Sequence, residues 1–133
     1  MKALQILVLV AISLAILYPA QAAQNAPAVP KYDKSTEAAF KGVVQEVRDR
    51  QCPMSGGLGS HLVMRLSDGK VIEVHLSSTR FVHQYEVVFR PGDTLEITGV
   101  KVNFEGVETI FARKIKRGTD EFLFRDNDGK PIW

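Results

Sequence analysis

The 133 residues contain one cysteine, Cys52, so no intrachain disulfide can form and the fold must rest on its own core. An excess of one charge is lacking too, with 17 Lys and Arg against 15 Asp and Glu. That balance argues against a strong phosphate-binding surface, which shows as a surplus of basic residues. One local basic run does exist, at Arg113, Lys114, Lys116 and Arg117. The signatures of common catalysts are absent. The glycines at positions 56, 57 and 59 are followed by a strand pattern and by no lysine, which excludes a phosphate loop. Ser55, Ser60 and the histidines have no nucleophile elbow around them, so hydrolase chemistry has no frame. The expectation is a protein that is not an enzyme.

Only one long apolar run occurs, over residues 3–18, interrupted by Gln5 and Ser13. It falls short of the ~20 residues that span a bilayer. Met1-Lys2 places a positive charge before it, and Pro19 and Ala20-Gln21-Ala22 follow. A charged start, an apolar stretch and small residues at both positions read by signal peptidase make residues 1–22 a secretory signal, which predicts a periplasmic or secreted protein. No cysteine lies near the cleavage site, which excludes a lipid anchor there. Removing Lys2 leaves 17 − 1 = 16 basic against 15 acidic residues. Residues 23–35, with two prolines and little apolar periodicity, read as a flexible leader. What remains is enough for one domain and one core.

Residues 36–50 alternate apolar and charged residues around Val43, Val44 and Val47. Helix formers at the front of this segment compete with that pattern. The reading adopted is a short helical or irregular start to about Ala38 and then a long curved strand, with a bend or bulge at Gly42. Residues 52–60, CPMSGGLGS, read as a loop. The next stretch, HLVMRLSDGKVIEVHL, is a hairpin whose register follows from sorting the side chains. A two-residue turn at Asp68-Gly69 would mix apolar and polar faces. A three-residue loop, Ser67-Asp68-Gly69, with Gly69 in a left-handed bulge sets Leu62 against Val74 and Met64 against Ile72. One face is then apolar throughout, and the other carries His61, Val63, Arg65, Val71, Glu73 and His75, with His61 directly across from His75.

Residues 77–89 change to helical spacing after a Ser/Thr cluster able to cap a helix, and Phe81 and Tyr85 are expected to plug one end of the core. Arg90-Pro91-Gly92-Asp93 is a turn. A strand follows, with its alternation shifted at Gly99, then a turn at Glu105-Gly106, another strand, and a tail with an Asn-Asp-Gly turn that folds back as a β extension. The fold class is all-β with one short helix, and the order of elements is that of a five-stranded OB-type Greek-key barrel. RPGDTLEITGVKV resembles the fourth strand of periplasmic and nucleic-acid OB domains, and IFARKIKRG resembles their fifth. The resemblance, to bacterial exported OB-fold domain proteins, covers about residues 40–118 and implies architecture more than function. The organisation read from the sequence is a signal at 1–22, a leader at 23–35, the barrel at 36–118 and the extension at 119–133.

The leading functional expectation is a binding module for an envelope protein, peptide or small ligand. It would use the face of the first three strands and the glycine-rich loop, through Met54, Gly56, Gly57, Arg65 and Glu73. An ion pair between Arg65 and Glu73 is the plain alternative role for those two. A different class of function rests on Cys52, His61 and His75. Thiolate and imidazole together suit copper or zinc, although this spacing is no standard ligand motif. Single-stranded nucleic acid binding is a third reading, disfavoured by the absence of aromatics on the outer side of the hairpin. Asp126-Asn127-Asp128-Gly129 opens like a calcium loop but lacks the closing Glu, and a hairpin turn accounts for it better.

Overall fold

The computed structural model describes residues 28–133. The expected signal at 1–22 and residues 23–27 of the leader lie outside the described residues. No helix among the described residues is long and apolar enough to cross a membrane.

A 3₁₀ turn at Lys34–Thr36 is capped by Asp33, whose carboxylate accepts from the Ser35 amide at 3.0 Å. Strand β1 (Ala38–Cys52) follows, then a second 3₁₀ turn (Pro53–Ser55), β2 (Gly57–Leu66) and β3 (Val71–Ser78). Helix α1 (Thr79–Gln84) leads to β4 (Thr94–Phe104), β5 (Val107–Arg117) and β6 (Asp120–Leu123). The sheet order is β3-β2-β1-β4-β5-β6, and a parallel pairing of β3 with β5 closes the first five of these strands into a ring. The architecture is all-β with one short helix between the third and fourth strands, and the tail adds a sixth strand to β5.

The β2–β3 hairpin has the sorted register. Leu62 faces Val74, Met64 faces Ile72, and His61 faces His75. The Leu66 amide donates to Lys70 O at 2.8 Å and the Gly69 amide to Leu66 O at 2.9 Å. Gly69 sits at φ 86°, a left-handed conformation that a side chain would strain. Leu62, Met64, Val74, Ile97, Ile110 and Ile115, all fully buried, fill the ring together with Leu76, Leu95, Phe124 and Val44. Burying each such side chain contributes on the order of 1.5–3 kcal/mol, and this interior is the main source of stability.

Several expectations need correction. The irregularity in β1 falls between Val44 and Glu46, not at Gly42. Gly42 is needed for space, because a Cβ there would lie 2.4 Å from the Arg65 carbonyl oxygen. The 52–60 loop shrinks to one tight turn, since Cys52 ends β1 and Gly57 already belongs to β2. Helix α1 is capped by the Ser78 hydroxyl, which accepts from the Phe81 amide at 3.3 Å, but it ends at Gln84. Phe81 packs against the interior, whereas Tyr85 is 61% exposed. The helical phase stops before Tyr85 can turn inward, and Val82 and Phe89 take the buried positions instead.

The alternation of β4 does shift, between Thr98 and Gly99. Beyond that shift Phe104 points away from the main interior and joins a second buried cluster with Cys52 and Phe111. The basic run is largely neutralised. Arg113 forms a two-pronged pair with Glu37, Lys114 faces Glu121, and Arg117 reaches Asp93 and Asp120. In the tail, the Asp126 carboxylate accepts from the amides of Asp128 and Lys130, which closes a turn.

Candidate metal centre

Three successive strands each contribute one side chain to the second cluster. Cys52 is the last residue of β1, and the irregularity between Val44 and Glu46 inverts the alternation so that Val44 and Cys52 face opposite sides. His61 precedes inward-facing Leu62 on β2, and His75 lies between inward-facing Val74 and Leu76 on β3, so both imidazoles project on the other side. One ligand atom each from Cys52, His61 and His75 lies within 4.8 Å of the other two. The imidazole rings meet edge to face with centroids 4.8 Å apart.

The three side chains are closed off from solvent. His61 is 0% exposed, His75 1% and Cys52 2%. The cover comes from segments distant in sequence. Phe111 on β5 pairs with His75 and lies 5.9 Å from it between ring centroids, and Trp133 lies 5.6 Å away on another side. Phe104 packs against Phe111, and Tyr32 and Met54 close the cluster. Arg125, itself buried, stacks over Tyr32 at 4.9 Å and Phe111 at 5.6 Å and donates to Met54 Sδ at 3.6 Å.

Each histidine has one nitrogen engaged and one left over. His61 Nδ1 lies 3.0 Å from the Gly59 carbonyl, an acceptor only, so Nδ1 carries the proton and Nε2 presents a lone pair. His75 Nε2 lies 3.1 Å from Ser55 Oγ. His61 Nε2 and His75 Nδ1 are buried without a hydrogen-bond partner. A buried polar atom without a partner costs about 1–3 kcal/mol, so the chain carries a penalty here that a bound ligand would remove. The pattern of one nitrogen anchored and the other free is that of metal-ligating histidines. Burial pushes the His61 pKa down, and it lowers that of His75 to about 3, helped by the positive charges of Arg125 and Arg50. Both imidazoles are therefore neutral near pH 7, which is the state that binds metal.

Gly59 holds the space open. A Cβ on it would lie 2.8 Å from both Cys52 Cβ and Ser55 Oγ and 3.0 Å from His61 Cε1.

The sequence model of the MamS/MamX magnetosome protein family matches residues 36–122, a span that contains all six strands but for the last residue of β6 and all three of these side chains. The chain belongs to that family. No curated protein and no solved structure matches it. Membership in the MamS/MamX family assigns no chemistry to the cluster, so the site is read from its own geometry.

The other expected site residues do not converge in this MamS/MamX chain. Arg65 lies beside the hairpin turn, donating to Gly69 O at 3.3 Å. Gly56 and Gly57 stand at the opposite end of β2, roughly 25 Å away at strand rise. Met54 packs on the second cluster. The expected pairing of Arg65 with Glu73 does not form. Glu73 faces Val63 and is held by Arg50 at 2.7 Å, and Arg50 also reaches Glu105 at 2.7 Å. That network brings Glu73 Oε1 to 3.8 Å from His61 Nε2, too long for a hydrogen bond. Sequence reasoning missed Phe104, Phe111, Tyr32, Arg125 and Trp133 as parts of the site. One signal was available in the sequence, the unbroken apolar run Ile110-Phe111-Ala112 within β5, and all three residues are 0% exposed. A strand that is apolar on both sides marks cover on both sides.

Proposed function

We propose that the protein is an exported, non-catalytic binding module whose ligand is one soft transition-metal ion, copper or zinc, held by Cys52 Sγ and one nitrogen of each of His61 and His75. The observation that carries this reading is the meeting of three soft donors in a dry pocket with both imidazoles half satisfied. Thiolate and imidazole are the ligand types copper and zinc select, with bonds of about 2.0–2.3 Å. Gly59 O and Ser55 Oγ each engage one ring nitrogen of His61 and His75, which supports the other nitrogen as a ligand. The export signal in the sequence supports a location outside the cytoplasm.

Titration of the reduced protein with copper or zinc, followed by mass measurement under native conditions, tests the reading. One equivalent should bind, and Cys52→Ser and His75→Ala should each abolish stoichiometric uptake. Gly59→Ala should weaken uptake at least tenfold, because its methyl group occupies the space between the ligands. Uptake that is absent, or unchanged in all three variants, refutes the proposal.

A further inference from the structure

Resting on that reading, we infer that the centre is built for monovalent copper, bound in three-coordinate geometry by Cys52, His61 and His75, and that it discriminates against zinc. Three features of the pocket lead there.

The first is charge. The donor set is one thiolate and two neutral imidazoles, and among the described residues no carboxylate groups with all three of these ligands. Glu73, the nearest, is committed to Arg50. A monovalent ion leaves this pocket neutral, whereas zinc leaves a net positive charge on ligands that are 0–2% exposed. An uncompensated charge in a dry interior is costly. Arg125, buried against the same cluster and placing its cation over Phe111, adds to the penalty for a second positive charge.

The second is coordination number. Structural zinc takes four protein ligands, and catalytic zinc keeps its fourth position open to water. Neither condition is met here. Phe104, Phe111 and Trp133 wall the cluster, Ser55 Oγ is engaged with His75 Nε2, and Met54 Sδ accepts from Arg125. Monovalent copper is satisfied by three soft donors.

The third is ligand softness. Thiolate in an apolar, aromatic-lined cavity selects soft ions, and the nearby oxygens, Ser55 Oγ and Glu73 Oε1, are engaged by His75 and Arg50.

The test is an anaerobic competition on the reduced full chain. Cu(I) is partitioned against a chromophoric Cu(I) chelator and zinc against a chromophoric zinc chelator, and X-ray absorption is then measured at the edge of the bound metal. The expected result is one Cu(I) per chain, bound at least 100-fold more tightly than zinc, with one sulfur and two nitrogen scatterers. The spectrum should be unchanged in Met54→Leu and in Glu73→Gln. Zinc binding as tightly as Cu(I) overturns the inference while leaving the metal-site proposal standing. A second sulfur scatterer that disappears in Met54→Leu overturns three-coordination. Binding of neither ion removes both. Because the spectrum is read on the unaltered protein, the outcome does not depend on any ligand variant folding.

Discussion

Around His61 and His75 both faces of the β2–β3 hairpin are buried, yet they are made of different material. Leu62, Met64, Ile72 and Val74 meet only apolar neighbours and leave nothing unsatisfied. On the reverse side His61 and His75 lie among Phe111, Trp133 and Cys52 with two nitrogens unpartnered. The first arrangement is what folding alone selects. The second costs stability, a cost that the proposed ion would offset. Burial by itself therefore does not separate core from site in this barrel, but polar satisfaction does.

The difference can be attacked from the stability side. Leu62→Ala in the main interior should destabilise by about 2–5 kcal/mol in denaturant unfolding, through lost transfer energy and the cavity left behind. A loss under 1 kcal/mol would mean that this face is not the principal core. Next in size is the pH response of the metal-free protein. His75 has a folded pKa depressed to about 3 from an ordinary 6.5, so its contribution to stability is complete above pH 6.5 and is lost as pH falls from there toward 3. The melting temperature should begin to drop below about pH 6.5, and in His75→Phe that part of the acid response should shrink. An unaltered profile in the variant would show that His75 is not held neutral. The smallest effect is the most telling. His61→Leu removes the penalty of the unpartnered Nε2 but also the hydrogen bond from Nδ1 to Gly59 O, so the two offset and stability should stay within about 1 kcal/mol of the parent while metal uptake disappears. A loss of several kcal/mol would assign His61 a structural role.

The hairpin was legible because its constraint is local. Only one register sorts Leu62, Met64, Ile72 and Val74 to a single side, and that register needs Gly69 in a left-handed turn. The opposition of His61 and His75 followed directly. The shift at Gly99, the Ser78 cap and the folded-back tail were likewise readable from nearby residues. Burial of the outer face was not, because its cover comes from Tyr32, Phe104, Phe111 and Trp133, which the chain brings there only on closing the ring. The same distance effect hid the Arg50 network. Arg50 and Glu73 stand on different strands, and alternation within the hairpin offered Arg65 as the nearer partner.

Cys52, His61 and His75 belong to three consecutive strands, so the chain has no pre-arranged pair of donors before β1, β2 and β3 have zipped together. An ion captured there recognises the native conformation alone. Occupancy would then act as a thermodynamic latch, raising apparent stability by about 2.7 kcal/mol at a free concentration one hundred times the dissociation constant. Loading would come after folding, and removal by a chelator would loosen the barrel without unmaking it.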